Sequence, residues 1–203
     1  IVAYTFLSTW MENKRESDWQ GQLESHIFKP LGMHMTSARI SDADKLGWTL
    51  AKGYSVKSPE PTAPVYLTKT DNSMHAAGGM ISTARDLAQF LIMQVNQGKV
   101  ANQQILPESV VLESQQKVAS YERNGSKRHY GWGWFVRNLF DHTLLEHRGG
   151  YPGASTYMSF MPEQKLGLIV LSNQDRWGGD LAYALEDIAY AIAPGKDKKA
   201  GKG

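Results

Sequence analysis

The chain has 203 residues, 41 % of them hydrophobic and 21 % charged, with a net charge of +2 and no cysteine. That is the make-up of a globular protein able to bury a core; it excludes disulfides and thiolate metal sites, and no apolar run approaches the roughly 20 residues of a membrane span. Lys196–Gly203 holds four lysines against one aspartate, so +3 sits in a terminal tail and the body is near −1, without the basic face that nucleic-acid binding requires.

The chain opens at Ile1, not methionine, and in mid-pattern. Val2, Phe6 and Trp10, spaced i, i+4, i+8 with Leu7 beside them, predict a mostly buried first helix. Ser17-Asp18-Trp19-Gln20 fits a capping box, and Trp19, Leu23 and Ile27 continue as a second helix that Pro30 and Gly32 stop. "SPEPTAP", residues 58–64, reads as an exposed excursion. In "HAAGGMISTARDLAQFLIMQVNQGKV" Ser82 or Thr83 can cap a helix whose stripe is Leu87, Phe90, Leu91 and Val95, ended by Gly98. Pro107 suits the first position of another helix.

Strand patterns follow: "YGWGWFV", "HTLLEHRG", "STYMSFMP" and "KLGLIVLSN", with Pro162–Lys165 as a turn between the last two. Asp180 to Ala193 predicts an amphipathic closing helix with Leu181, Leu185, Ile188 and Ile192 on one face. The expected fold class is therefore α+β: residues 1–120 mainly helical, then 130–193 an antiparallel sheet with the C-terminal helix packed on it, and 195–203 a disordered tail.

No histidine pair has metal-ligand spacing, so neither metal nor cofactor is expected, and neither "HAAGG" nor "HRGG" forms a phosphate loop. "HRGGYPG", His147 to Gly153, reads first as a glycine-rich hairpin turn, but its cationic start on an apolar strand and its glycines also suit a strand approached by a ligand.

Four segments in order, "HIFKPLGM", "HAAGGMISTARDLAQFL", "YGWGWFV" and "HRGGYPGASTYMSFMPEQKLGLIVLSN", resemble the C-terminal part of the serine β-lactamase-like family of class C β-lactamases, D,D-peptidases and esterases. The resemblance implies an acyl-enzyme hydrolase acting on β-lactams, D-Ala-type peptides or small esters, in a periplasmic or secreted setting. It implies that His147-Arg148-Gly149 is the third catalytic motif. His147 then faces the nucleophile, Gly149 leaves room for substrate, and the Gly150 N–H is one oxyanion donor. Arg148, Tyr151, His75 and Gly79 become substrate-binding candidates, Arg148 at the rim.

The family's Ser-x-x-Lys and Tyr-x-Asn motifs are missing. None of the nine tyrosines is followed two positions later by asparagine. The lone Ser114-x-x-Lys117 falls in the mid-chain helix, where it reads as a solvated face; about one such match arises by chance. The resemblance thus implies a partial fold that needs the N-terminal portion of its own domain and is inactive alone. The alternative is a non-catalytic module of the same fold that binds peptidoglycan or protein.

Overall fold

A computed structural model describes residues 2–15, 17–60, 62–65, 71, 75–175 and 178–191. The expected tail 195–203 lies outside the described residues, as do Ile192 and Pro61. The helices α1 (Val2–Lys14), α2 (Trp19–Leu23) and α3 (Ser41–Lys45) come first, with a π-helical turn, Glu24–Phe28, continuing α2. The two-stranded β1 (Gly53–Tyr54) and β2 (Pro64–Val65) follow. Then come α4 (Ala84–Val95), the small pair β3 (Lys99–Val100) and β4 (Gln103–Gln104), and α5 (Glu108–Ser114). The remaining strands are β5 (Ala119–Arg123), β6 (Ser126–Tyr130), β7 (Phe135–Leu139), β8 (His142–Tyr151), β9 (Ala154–Met161) and β10 (Leu166–Ser172). They form one antiparallel meander, order β10-β9-β8-β7-β6-β5, and α6 (Gly178–Tyr190) packs on β9 and β10. The α+β fold class and the closing helix on the sheet are as expected.

The sheet has helices on both faces. On one, α4 inserts Leu91 against Trp134, Val136, Leu145 and Phe160. On the other, Tyr190 of α6 packs with Leu144 and Met161. Leu144 and Leu145 are fully buried on opposite faces of β8, each worth about 1.5–3 kcal/mol. A third cluster, Trp19, Phe28, Leu31, Met33, Ala38, Met93 and Val111, joins α2, α4 and α5.

Several sequence expectations shift. The first helix forms, but its apolar side is not buried: Val2 is 82 % and Phe6 73 % exposed, and only Ser8 is buried. The α2 cap is Asp18, not Ser17, because the Asp18 carboxylate accepts from the Gly21 N–H at 2.7 Å. Pro107 is the N-cap of α5, one residue before the helix starts, and α5 ends at Ser114, which leaves Lys117 beyond the helix. Thr83 caps α4 by accepting from the Asp86 N–H.

"YGWGWFV" is a corner, not a strand. Tyr130 ends β6, Phe135 begins β7, and the Gly131 N–H closes the turn on the Trp134 carbonyl at 2.7 Å. The sheet also begins earlier than expected, with the β5–β6 hairpin turning at Asn124-Gly125, both at positive φ (52° and 71°). On α6 the buried face is Ala182, Glu186 and Tyr190, whereas Ile188 is 70 % exposed. The cause is the sheet surface beneath, which presents Arg137, Glu146 and Tyr157 and so calls for a polar partner.

Candidate active site

His147, Arg148, Gly149 and Gly150 are strand residues of β8, and the turn of "HRGGYPG" is confined to Pro152-Gly153. On one side β8 pairs with β9 from Leu145 up to the turn, including His147↔Met158, Gly149↔Thr156 and Gly150↔Ser155. On the other side pairing with β7 ends at Phe135↔Glu146. Among the described residues the strand from His147 to Gly150 therefore has a one-sided ladder, and Arg148, Gly149 and Gly150 are exposed. Such an edge accepts an extended guest through main-chain hydrogen bonds.

Alternation along the strand sends His147 and Gly149 to one face and Arg148 to the other. His147 is half-buried. Its ring stacks on Phe135 at 5.6 Å, meets Tyr130 edge-on, and its Nε2 lies 3.3 Å from the Tyr130 hydroxyl. Burial pulls its pKa below the ordinary 6.5, against a backbone hydrogen bond at Arg148 and the Glu146 charge, so the ring is neutral near pH 7. Arg148 lies across the ring of Tyr183 at 4.2 Å and that of Tyr157 at 5.4 Å, a cation–π anchor on the α6 face.

The two glycines differ. A Cβ on Gly149 would meet Thr156 Oγ1 at 2.4 Å, whereas one on Gly150 would meet nothing within 4 Å. Gly153 has φ +79°, and its turn presses on β1: a Cβ on Gly53 would lie 2.7 Å from the Gly153 carbonyl. The loop carrying β1 is thereby fixed against the end of the candidate site.

Tyr151 ends β8, opposite Ala154. His75 begins a 3-10 turn, His75–Ala77, that packs on α1, and its side chain lies outside the described residues. Gly79 is buried just beyond it. Beyond it, Ile81 pairs with the Ser37 backbone, and the preceding Met35 and Thr36 are held by buried Asp86, which accepts from the Met35 N–H and the Thr36 hydroxyl, both at 2.7 Å. Among the described residues, the aromatic contacts of His147 go to Tyr130 and Phe135, and α1 links this group to the His75 turn through Tyr4, 3.2 Å from the Tyr130 hydroxyl. A cleft of about 190 Å³ lined by Phe28, Met33 and Trp48 lies elsewhere and shares no residue with this strand.

Behind the strand, on the α6 face, Arg137 bonds Glu146 (3.2 Å) and Glu186, and the Tyr157 hydroxyl reaches both carboxylates, Glu146 at 2.6 Å. Burial tends to lower the Arg137 pKa, but the two glutamates outweigh it and raise it, while burial and the same carboxylates push Tyr157 up. The sequence reading missed this cluster and Tyr130. The one available signal was a charge directly after an apolar pair in each strand, Arg137 after Phe135-Val136 and Glu146 after Leu144-Leu145.

The family model for beta-lactamases matches residues 2–193. The chain belongs to the beta-lactamase family. It is 24 % identical over 187 residues to penicillin-binding protein 4* of Bacillus subtilis, covering 86 % of this chain and 39 % of that protein. The octameric penicillin-binding protein homologue of Pyrococcus abyssi superposes with a TM-score of 0.76 at 24 % identity, over 94 % of this chain and 40 % of that one. D-amino acid amidase of Ochrobactrum anthropi gives a TM-score of 0.68 at 22 % identity, over 93 % of this chain and 56 % of that one. The chain thus spans well under half the length of its curated relative and shares its fold with these two solved structures.

Proposed function

We propose that His147, Gly149 and Gly150 form one wall of a serine-hydrolase site that works through an acyl-enzyme on β-lactams, D-Ala-type peptides or small esters. The observation that carries this reading is the parting of β7 from β8 at Glu146, which leaves a neutral histidine and two glycines on an exposed strand edge. Substrate lies along this edge; the space expected to be left for it by Gly149 is taken by Thr156 Oγ1, and the open space is at Gly150. The Gly150 N–H donates to the oxyanion, an interaction worth about 3 kcal/mol in such sites. His147 offers the site a hydrogen bond rather than a fixed positive charge. Tyr151, His75 and Gly79 are the proposed further substrate contacts, whereas Arg148, expected at the rim, is held against Tyr183 and Tyr157 on the opposite face of the strand and points away from the site.

The nucleophile and its base come from protein outside these 203 residues. The open side of α1, with Val2, Phe6 and Trp10 exposed, supports this dependence, because apolar faces of that kind are normally covered.

The test has two arms. The coding sequence upstream of Ile1 is read for Ser-x-x-Lys followed by Tyr-x-Asn, and the protein that includes it is incubated with a penicillin and weighed by mass spectrometry. A covalent adduct on the motif serine is expected. Absence of the motifs, or no adduct, replaces the enzyme with a binding module of the same fold. The 203-residue chain alone is expected to turn over neither a chromogenic β-lactam nor a nitrophenyl ester.

A further inference from the structure

Tyr130 sits at the end of β6, where the corner to β7 begins, and its ring reaches His147 across the gap left by β7. Its hydroxyl is placed between two partners, the Tyr4 hydroxyl at 3.2 Å and His147 Nε2 at 3.3 Å. Phe135 completes the setting: it stacks on His147 and meets Tyr130 edge-on at 4.8 Å. The imidazole is thereby held flat on one side and addressed at Nε2 on the other.

We propose that Tyr130 is a positioning residue for His147: its hydroxyl, backed by Tyr4, donates to Nε2 and holds the ring as the Nδ1–H tautomer. Two observations set the direction. A backbone hydrogen bond at Arg148 favours a ring N–H, and Nε2 is already turned to Tyr130, so Nδ1 carries the single proton of a neutral ring. Burial first, and then the Tyr4 hydrogen bond, raise the Tyr130 pKa, which keeps the phenol protonated and able to donate. The charged group beside the ring is Glu146, one residue away on the opposite face of the strand. The meaning of this contact rests on the hydrolase reading, in which His147 must present one defined edge to substrate.

The experiment is long-range ¹H–¹⁵N NMR of the ¹⁵N-labelled 203-residue chain at pH 8. In the wild type, His147 Nε2 is expected at the unprotonated end of the nitrogen shift range and Nδ1 at the protonated end. In Tyr130→Phe the Arg148 bond remains but Nε2 loses its donor, so the two nitrogen shifts are expected to move toward each other as part of the population takes the proton on Nε2. In Tyr4→Phe, which keeps the Tyr130 hydroxyl, Nδ1 stays protonated. A wild-type His147 protonated at Nε2 overturns the assignment without need of any variant, and so does a Tyr130→Phe spectrum that matches the wild type. Because the readout is a tautomer and not turnover, its failure is distinct from failure to acylate.

Discussion

Arg137→Met removes the cation that two buried glutamates share. The Arg137 side chain is 25 % exposed, that of Glu146 9 % and that of Glu186 1 %. Deleting one member of a fully buried ion pair costs about 3–5 kcal/mol, because the partner is left charged and unpaired. Arg137 retains some contact with water, which discounts the figure, while the loss of two partners at once works the other way; about 3 kcal/mol is the expectation. With a urea slope of ~2 kcal/mol/M for a chain of this size, the unfolding midpoint should fall by roughly 1.5 M. The assay is urea denaturation followed by tryptophan fluorescence and by far-ultraviolet circular dichroism, which should give coincident curves. Methionine keeps most of the side-chain volume, so the loss reports charge rather than a cavity. A midpoint shift below about 0.3 M would refute the claim that α6 is held to the sheet by this cluster.

Other substitutions test the strand. Gly149→Ala places a methyl 2.4 Å from Thr156 Oγ1, so it should lower the melting temperature and Thr156→Ala should restore much of the loss; a double-mutant cycle with no coupling would deny the contact. Gly153→Ala forces a side chain to φ +79° and into Val65 and Gly53, and should cost at least ~1–2 kcal/mol by denaturation. His147 titrates below its unfolded value of 6.5, so the unfolded chain binds the proton more readily. Stability should therefore fall as pH drops from 6.5 toward the folded pKa and level off below it. His147→Gln should flatten that slope in midpoints measured between pH 8 and 5, and an unchanged slope would assign the titration elsewhere.

Much of the fold was legible because its signals are local. Thr83 and Gly98 bracket α4, and the meander from β8 onward follows alternation and turn chemistry. The β5–β6 hairpin carried its own signal, Asn124-Gly125 at the two-residue turn, but exposed polar strands hid it from any search for apolar alternation. Two helices misled for one reason. Periodicity reports which residues share a face, not what that face meets. On α1 the apolar face is left largely exposed, and on α6 the face that meets the sheet is the one carrying Glu186, because Arg137 and Tyr157 wait below it. In the candidate site, position along the chain pointed to His147 and the glycines. The contact with Tyr130 was not legible, because it joins side chains 17 residues apart across a corner that the sequence presents as continuous strand.

The fork at Glu146 also bears on solubility. An unpaired strand edge invites other chains to add to it, and long flat edges are the dangerous ones. Here the stretch without a second partner among the described residues is four residues, ~13 Å at strand spacing, closed at one end by the last β7 pair and at the other by the Pro152-Gly153 turn pressed onto β1. A guest of two or three residues fits within those stops, whereas a whole strand from another molecule would collide with both. The same boundaries that leave the edge open to a short ligand keep it from seeding a fibre.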